Sequence, residues 1–231
     1  MNKKIHVILL MGLLITTNLA SAQQKAFQFG FKVAPSMGWI KPNTVDYERD
    51  GVKAGFNWGF VGEFFLMENY AVATGFNVMY VNGAYTYPDK ITNSVGSIIG
   101  NTRRELHLKY IQLPVILKMK TNDFGGLRVY GEMGFGLGFK VDAKADDQFT
   151  EQTTQHEVVT SDVGSQYRFT RESLILGAGV EYLLGGSTFI TAGIRFDNNF
   201  IDIMKDQSKV DSSVEQKGIA NLLEFQIGLL F

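Results

Sequence analysis

The sequence predicts an all-β fold: an eight-stranded antiparallel up-and-down transmembrane β-barrel with short turns at one end and long loops at the other. Three observations carry this. Eight segments alternate apolar residues with polar residues or glycine at a period of two, the pattern of strands with unlike faces. Some stripes, LRVYGEMGFGLGFKV at 127–141 above all, outrun the roughly 5–6 residues of a common soluble strand and reach the roughly 9–11 that a tilted strand needs to cross a bilayer. The links between segments alternate strictly between long and short, the asymmetry of transmembrane barrels.

In chain order, residues 1–22 read as a cleaved signal peptide: a basic MNKK start, an apolar stretch from Ile5 to Leu19, and the small-residue site Ala20-Ser21-Ala22. Residues 23–231 then form a single domain. No later apolar run is long enough to span a bilayer as a helix, so any membrane contact falls to strands. The formal net charge of −1 makes no electrostatic case for nucleic acid, and with no cysteine the exported chain folds without disulfides.

The first segment, about 27–39, sets Phe27, Phe29, Phe31 and Val33 on one face. The second, 55–66, opposes Phe56, Trp58, Phe60 and Phe64 to Asn57, Gly59 and Glu63. The third, about 70–84, alternates Val72, Phe76, Val78 and Tyr80 with Ala73, Gly75 and Asn77. In the fourth, 104–120, the apolar parity switches near Tyr110-Ile111, which predicts a β-bulge there. The fifth is the 127–141 stripe. The sixth (167–183), seventh (188–199) and eighth (219–231) repeat the pattern, the last closing on Phe231. Short turns fall at 67–69, 121–126 and 184–187, and long polar links at about 40–54, 85–103, 143–166 and 202–218. An even strand number leaves both termini on the short-turn, periplasmic side.

Alternation alone does not say which face points inward. Stripe length, the glycine and paired charge on the other face, and the terminal aromatic favour apolar side chains on lipid. The interior of so small a barrel is just wide enough for its own side chains. Inward parity then supplies Glu63, Arg128, Glu132, Lys140, Arg171, Glu181, Arg195, Asp197 and Glu224. Acids and bases nearly balance, and since a buried unpaired charge is costly these groups are expected to pair as a structural polar plug. Trp39, Tyr70, Tyr85, Tyr87, Tyr110, Tyr130, Tyr167 and Tyr182 are candidates for interfacial girdles, with Trp39 and Tyr70 best placed.

Chemical motifs are sparse. GFGLG (134–138) lies inside a strand and opens no helix, so it reads as barrel wall and not as a nucleotide loop. His107 and His156 lack partners at metal-ligand spacing, and His156, Ser161 and Asp162 sit in a polar link that does not preorganise a catalytic site. The acidic stretch 142–162 reads as a solvated outer loop. No catalytic residue, cofactor or metal is assigned.

KVAPSMGWIKP (32–42), ENYAVATGFNVMYVNG (68–83), YIQLPVILKMKTN (110–122) and YGEMGFGLGFKV (130–141) resemble the outer-membrane β-barrel domain of Bacteroidota, the "porin family" or PorT-like proteins. The resemblance spans essentially the whole chain after the signal, and the Tyr110/Pro114/Lys118 stretch and the Glu68-Asn69-Tyr70 turn carry it most specifically. It implies an eight-stranded barrel in the outer membrane, without a shared biochemical activity. Expected partners are outer-membrane lipid, the barrel assembly machinery acting on the strand that ends at Phe231, and envelope or secretion-system proteins. The expected function is structural or loop-mediated binding in the cell envelope, without a general diffusion pore or an enzymatic reaction. The alternatives are an accessory of a type IX-like secretion system and, less favoured, a rim-active lipid-modifying enzyme.

Overall fold

The computed structural model describes residues 26–93, 96–151 and 154–231. The expected signal peptide lies outside them. Eight long strands form the wall: β1 (Phe27–Pro42), β2 (Glu48–Met67), β3 (Tyr70–Asn93), β4 (Gly96–Lys120), β5 (Leu127–Glu151), β8 (Thr170–Gly185), β9 (Thr188–Asn199) and β10 (Gly218–Leu230). Each pairs antiparallel with its chain neighbour, and β10 closes the ring on β1. Closure leaves no free edge in the membrane, where unpaired backbone is untenable. At the seam Phe231 and Phe29 exchange backbone hydrogen bonds of 2.8 and 3.4 Å.

The polar links hold less loop than their composition implies. β3 and β4 run on through most of 85–103, and β5 continues to Glu151, where β6 (Thr154–Gln155) and β7 (Val159–Asp162) extend its ladder. Polar residues form strands here because each keeps a ladder with a neighbour: β3 with β4 up to Asn93–Gly96, and β5 with β4 on one side and β7 on the other. Composition alone reads them as links.

Nor does β4 contain the expected bulge. Its even residues point inward without interruption from Thr102 to Lys120. The register slips on β5, where Lys109 pairs with Asp142 and Tyr110 with Lys140, leaving Val141 as the extra residue. Beyond it the faces of β5 exchange, so Ala143, Ala145 and Phe149 are buried. On β4 it is the surroundings that change. Below Tyr110 the outward residues Ile111, Leu113, Val115, Leu117 and Met119 are exposed, while Gln112, Lys118 and Lys120 are buried. Above it Leu106, Leu108 and Tyr110 are buried, and Arg103, Glu105, His107 and Lys109 face outward. Apolar groups face whatever is not water: lipid outside the lower half, the barrel's own core in the upper half.

This inversion marks the membrane boundary. The apolar belt below it, with Phe31, Val115 and Phe135 each at least 60% exposed, is the lipid face. Val115→Arg is expected to cost about 2–4 kcal/mol in this belt. His107→Arg, eight residues up the same face, should stay within about 0.5 kcal/mol. Urea titration in lipid vesicles, read by the gel shift of folded barrel, measures both, and equal costs would misplace the boundary.

Of the aromatic candidates, Tyr70 and Tyr182 are exposed on the belt near the short-turn end and Trp39 is partly exposed. Tyr85, Tyr87, Tyr110, Tyr130 and Tyr167 are instead buried inside the barrel. They belong to its core and not to a girdle: the strands place Tyr85, Tyr87, Tyr110 and Tyr130 on the inward face, and Tyr167 enters from the link before β8.

Candidate functional site

The lower lumen is filled by ion pairs. Nearest the short turns, the Lys118 ammonium donates to Glu63 and Glu181 at 2.6 Å each, and Lys120 donates to the same two carboxylates at 2.6 and 2.9 Å. These four side chains come from β2, β4 and β8, so the cluster crosses the lumen instead of following the wall. Above it Arg195 grips Glu132 through two hydrogen bonds of 2.7 and 2.9 Å. Glu224 accepts from Asn57 and Gln226, each at 2.7 Å, with the Lys32 ammonium 4.0 Å away. Higher still, Asp197 accepts from Arg171 at 2.5 Å and from Gln112 at 2.7 Å. Five basic and five acidic side chains thus share this layer, a neutral set with little need of counter-ions.

Small residues make room for it. A Cβ on Gly136 would lie 2.3 Å from the Gln112 amide, and one on Gly179 would lie 2.5 Å from the Tyr130 hydroxyl. The space left between Lys32, Asn77, Lys118, Glu132 and Arg195 is about 30 Å³, of the order of one water's share of the liquid.

Above the charges the lumen turns apolar. Ile40, Met79, Val81, Leu106, Leu108 and Leu222 pack with loop residues Val163, Tyr167, Ile203 and Met204, which enter from the top. Arg104 fastens this cap. It donates to both oxygens of Asp147 at 2.7 and 2.6 Å and to Gln166 at 2.6 Å. Burial opposes its charge, yet the Asp147 bond and nearby phenols hold the guanidinium above its ordinary pKa range. Burial also raises the Tyr85 and Tyr167 phenols, which share a 2.7 Å hydrogen bond as neutral groups.

Of the nine residues expected inside, Glu63, Glu132, Arg171, Glu181, Arg195, Asp197 and Glu224 lie in this network. Arg128 and Lys140 do not. Arg128 sits at the short-turn end, 3.6 Å from Asp123 and over the Phe189 ring. Lys140 lies one residue before the β5 bulge and donates to the carbonyls of Gly164 and Tyr167 at 2.5 and 2.6 Å, under the cap. Lys32, Lys118, Lys120 and Gln112 were not anticipated, and Asn57, though set on the face of Glu63, was not among the nine. Their signal is the unbroken even parity of β1 and β4 and the odd parity of β2, hidden on β4 by the expected bulge.

The polar-link residues do not assemble a reactive site. His156 donates its backbone N–H to Phe149, whereas Ser161 pairs with Ala145, four residues away on β5 or about 13 Å. His107 faces outward, 3.4 Å from Asp146, which also accepts from the Thr160 hydroxyl at 2.6 Å.

A closed eight-stranded ring with a lipid-facing belt and a charged interior defines a small transmembrane β-barrel. The chain belongs to the outer membrane protein beta-barrel domain family, whose model matches residues 21–205. It is therefore an outer-membrane protein. No curated protein matches it in sequence. Among solved structures it is similar to Neisserial surface protein A (12% identity, TM-score 0.46, covering 89% of this chain and 96% of that one). Others are OprG from Pseudomonas aeruginosa (11%, TM-score 0.42, 90% and 97%) and Ail, the attachment invasion locus protein of Yersinia pestis (14%, TM-score 0.37, 90% and 100%).

Proposed function

We propose that this protein is a sealed outer-membrane barrel whose role is structural or exercised by its outer end, not a route for general diffusion. The single observation that carries this is the stacking of a neutral ion-pair layer under an apolar cap, with about 30 Å³ left open among the charges. Diffusing solutes would have to break these ion pairs. Above the belt, the β3–β4 hairpin rises past the last pairing of β3 with β2 at Thr86 and exposes Ile91 and Ile99 near its tip. Such a projecting hairpin is suited to contact envelope or extracellular partners.

Purified protein in planar bilayers is expected to give no stable nanosiemens-scale steps, and reproducible steps would overturn the sealed reading. The PorT-like alternative rests on the resemblance of four segments. A deletion strain that lost secretion of many proteins would put that alternative first, and normal secretion is the expected result.

A further inference from the structure

We infer that the outer wall carries a docking groove for one outer-leaflet lipid with a net anionic phosphate headgroup, formed where the β2–β3 ladder breaks. This rests on the membrane placement above, not on the sealed lumen. Ladder pairs run to Trp58–Val78 from the short-turn end and resume at Val52–Gly83. In between, side chains replace the ladder: Tyr80 N–H donates to the Asn57 side-chain oxygen and the Asn82 amide donates to the Ala54 carbonyl, both at 2.8 Å. Outside this break lies a shallow groove of about 550 Å³ with Phe56, Trp58 and Tyr80 as its walls and Ala54, Gly55 and Asn82 as its floor. The three aromatics are 37–49% exposed.

Its height fixes the occupant. Ile111, exposed on β4, belongs to the top of the lipid belt, and the next outward residue up that strand is Lys109, paired with Tyr80 and the first outward cation on β4. The groove thus spans the level where acyl chains give way to headgroups. A depression at this level is open to acyl chains from below and to headgroups from above. Lys109 supplies the selectivity. Its ammonium lies 5.4 Å from the Tyr80 ring centroid, and among the described residues it makes no ion pair. A phosphate above a chain seated between Trp58 and Tyr80 would meet that charge.

The test is native mass spectrometry of the full folded protein released from mixed phosphatidylglycerol and phosphatidylcholine nanodiscs. Wild type is expected to retain one lipid, with phosphatidylglycerol preferred about fivefold, the ratio one lysine near an anionic surface confers. Lys109→Gln should keep the lipid but lose the preference. Ala54→Trp, which fills the floor, should lose the lipid itself. Gel shift on heating verifies that each variant is folded, and Ala54→Leu serves if Ala54→Trp does not fold. Unchanged lipid retention in the folded floor variant, or an unchanged preference in Lys109→Gln, overturns the proposal. Nanosiemens steps in planar bilayers would refute the sealed lumen while leaving this groove untouched.

Discussion

Glu63→Ala is expected to destabilise the folded barrel by about 3–5 kcal/mol, the cost of removing one partner from a buried ion pair. The Glu63 side chain is 1% exposed, and its two oxygens accept from different lysines, Lys118 and Lys120. Without it, two ammonium groups share the single Glu181 carboxylate in a space closed to bulk water. The excess charge, more than the two lost hydrogen bonds, sets the size of the effect. Charge balance then predicts a rescue. Glu63→Ala combined with Lys120→Met leaves Lys118 with Glu181, one charge against one. Methionine would also take the place of the ammonium now 5.0 Å from the Phe65 ring centroid. More than half the lost stability should return in urea unfolding from lipid vesicles. Simple additivity of the two single substitutions would show that the cluster does not act as a unit.

The same residues show what the sequence disclosed and what it hid. Strand number, antiparallel order and the lipid face were legible because the bilayer imposes one rule along each crossing segment: LRVYGEMGFGLGFKV keeps one parity from Leu127 to Lys140. Glu63, Glu181 and Arg195 followed from that rule. The rule fails where the strand leaves the membrane. On β4 the apolar residues change face at Tyr110 although the backbone does not, because water replaces lipid outside and an apolar core replaces charge inside. Read as one periodic signal, that exchange looks like a bulge, and it concealed Lys118 and Lys120. The real bulge, at Val141, leaves the lipid-facing stripe before it intact and so left no trace in its alternation. Pairings across the lumen, such as Gln112 with Asp197, depend on barrel closure and have no local signature.

The upper half should fail through a single residue as well. Arg104→Ala is expected to cost about 3–5 kcal/mol, toward the lower end because Asp147 keeps 23% of its side chain exposed. The loss should be local. Arg104 ties β4 to Asp147 on β5 and to Gln166 in the cap, and its guanidinium lies 5.4 Å from the Tyr87 ring centroid. The lower ion pairs lie on the far side of the apolar layer and share no partner with it. Removing Arg104 takes the shared cationic partner from the partly exposed Asp147 and Gln166 at the edge of the apolar core, so the segment carrying Val163 and Tyr167 should lift away. Tyr167 is 1% exposed in the intact protein, so chymotrypsin added to the outside of intact cells should not cut wild type after Tyr167 but should cut Arg104→Ala there. Arg104→Lys keeps the charge but not the two-pronged bond, and is expected to fall between them. Cleavage of all three forms at the same rate would mean that the cap opens without regard to Arg104, and that the apolar contacts of Ile203 and Met204 alone decide its closure.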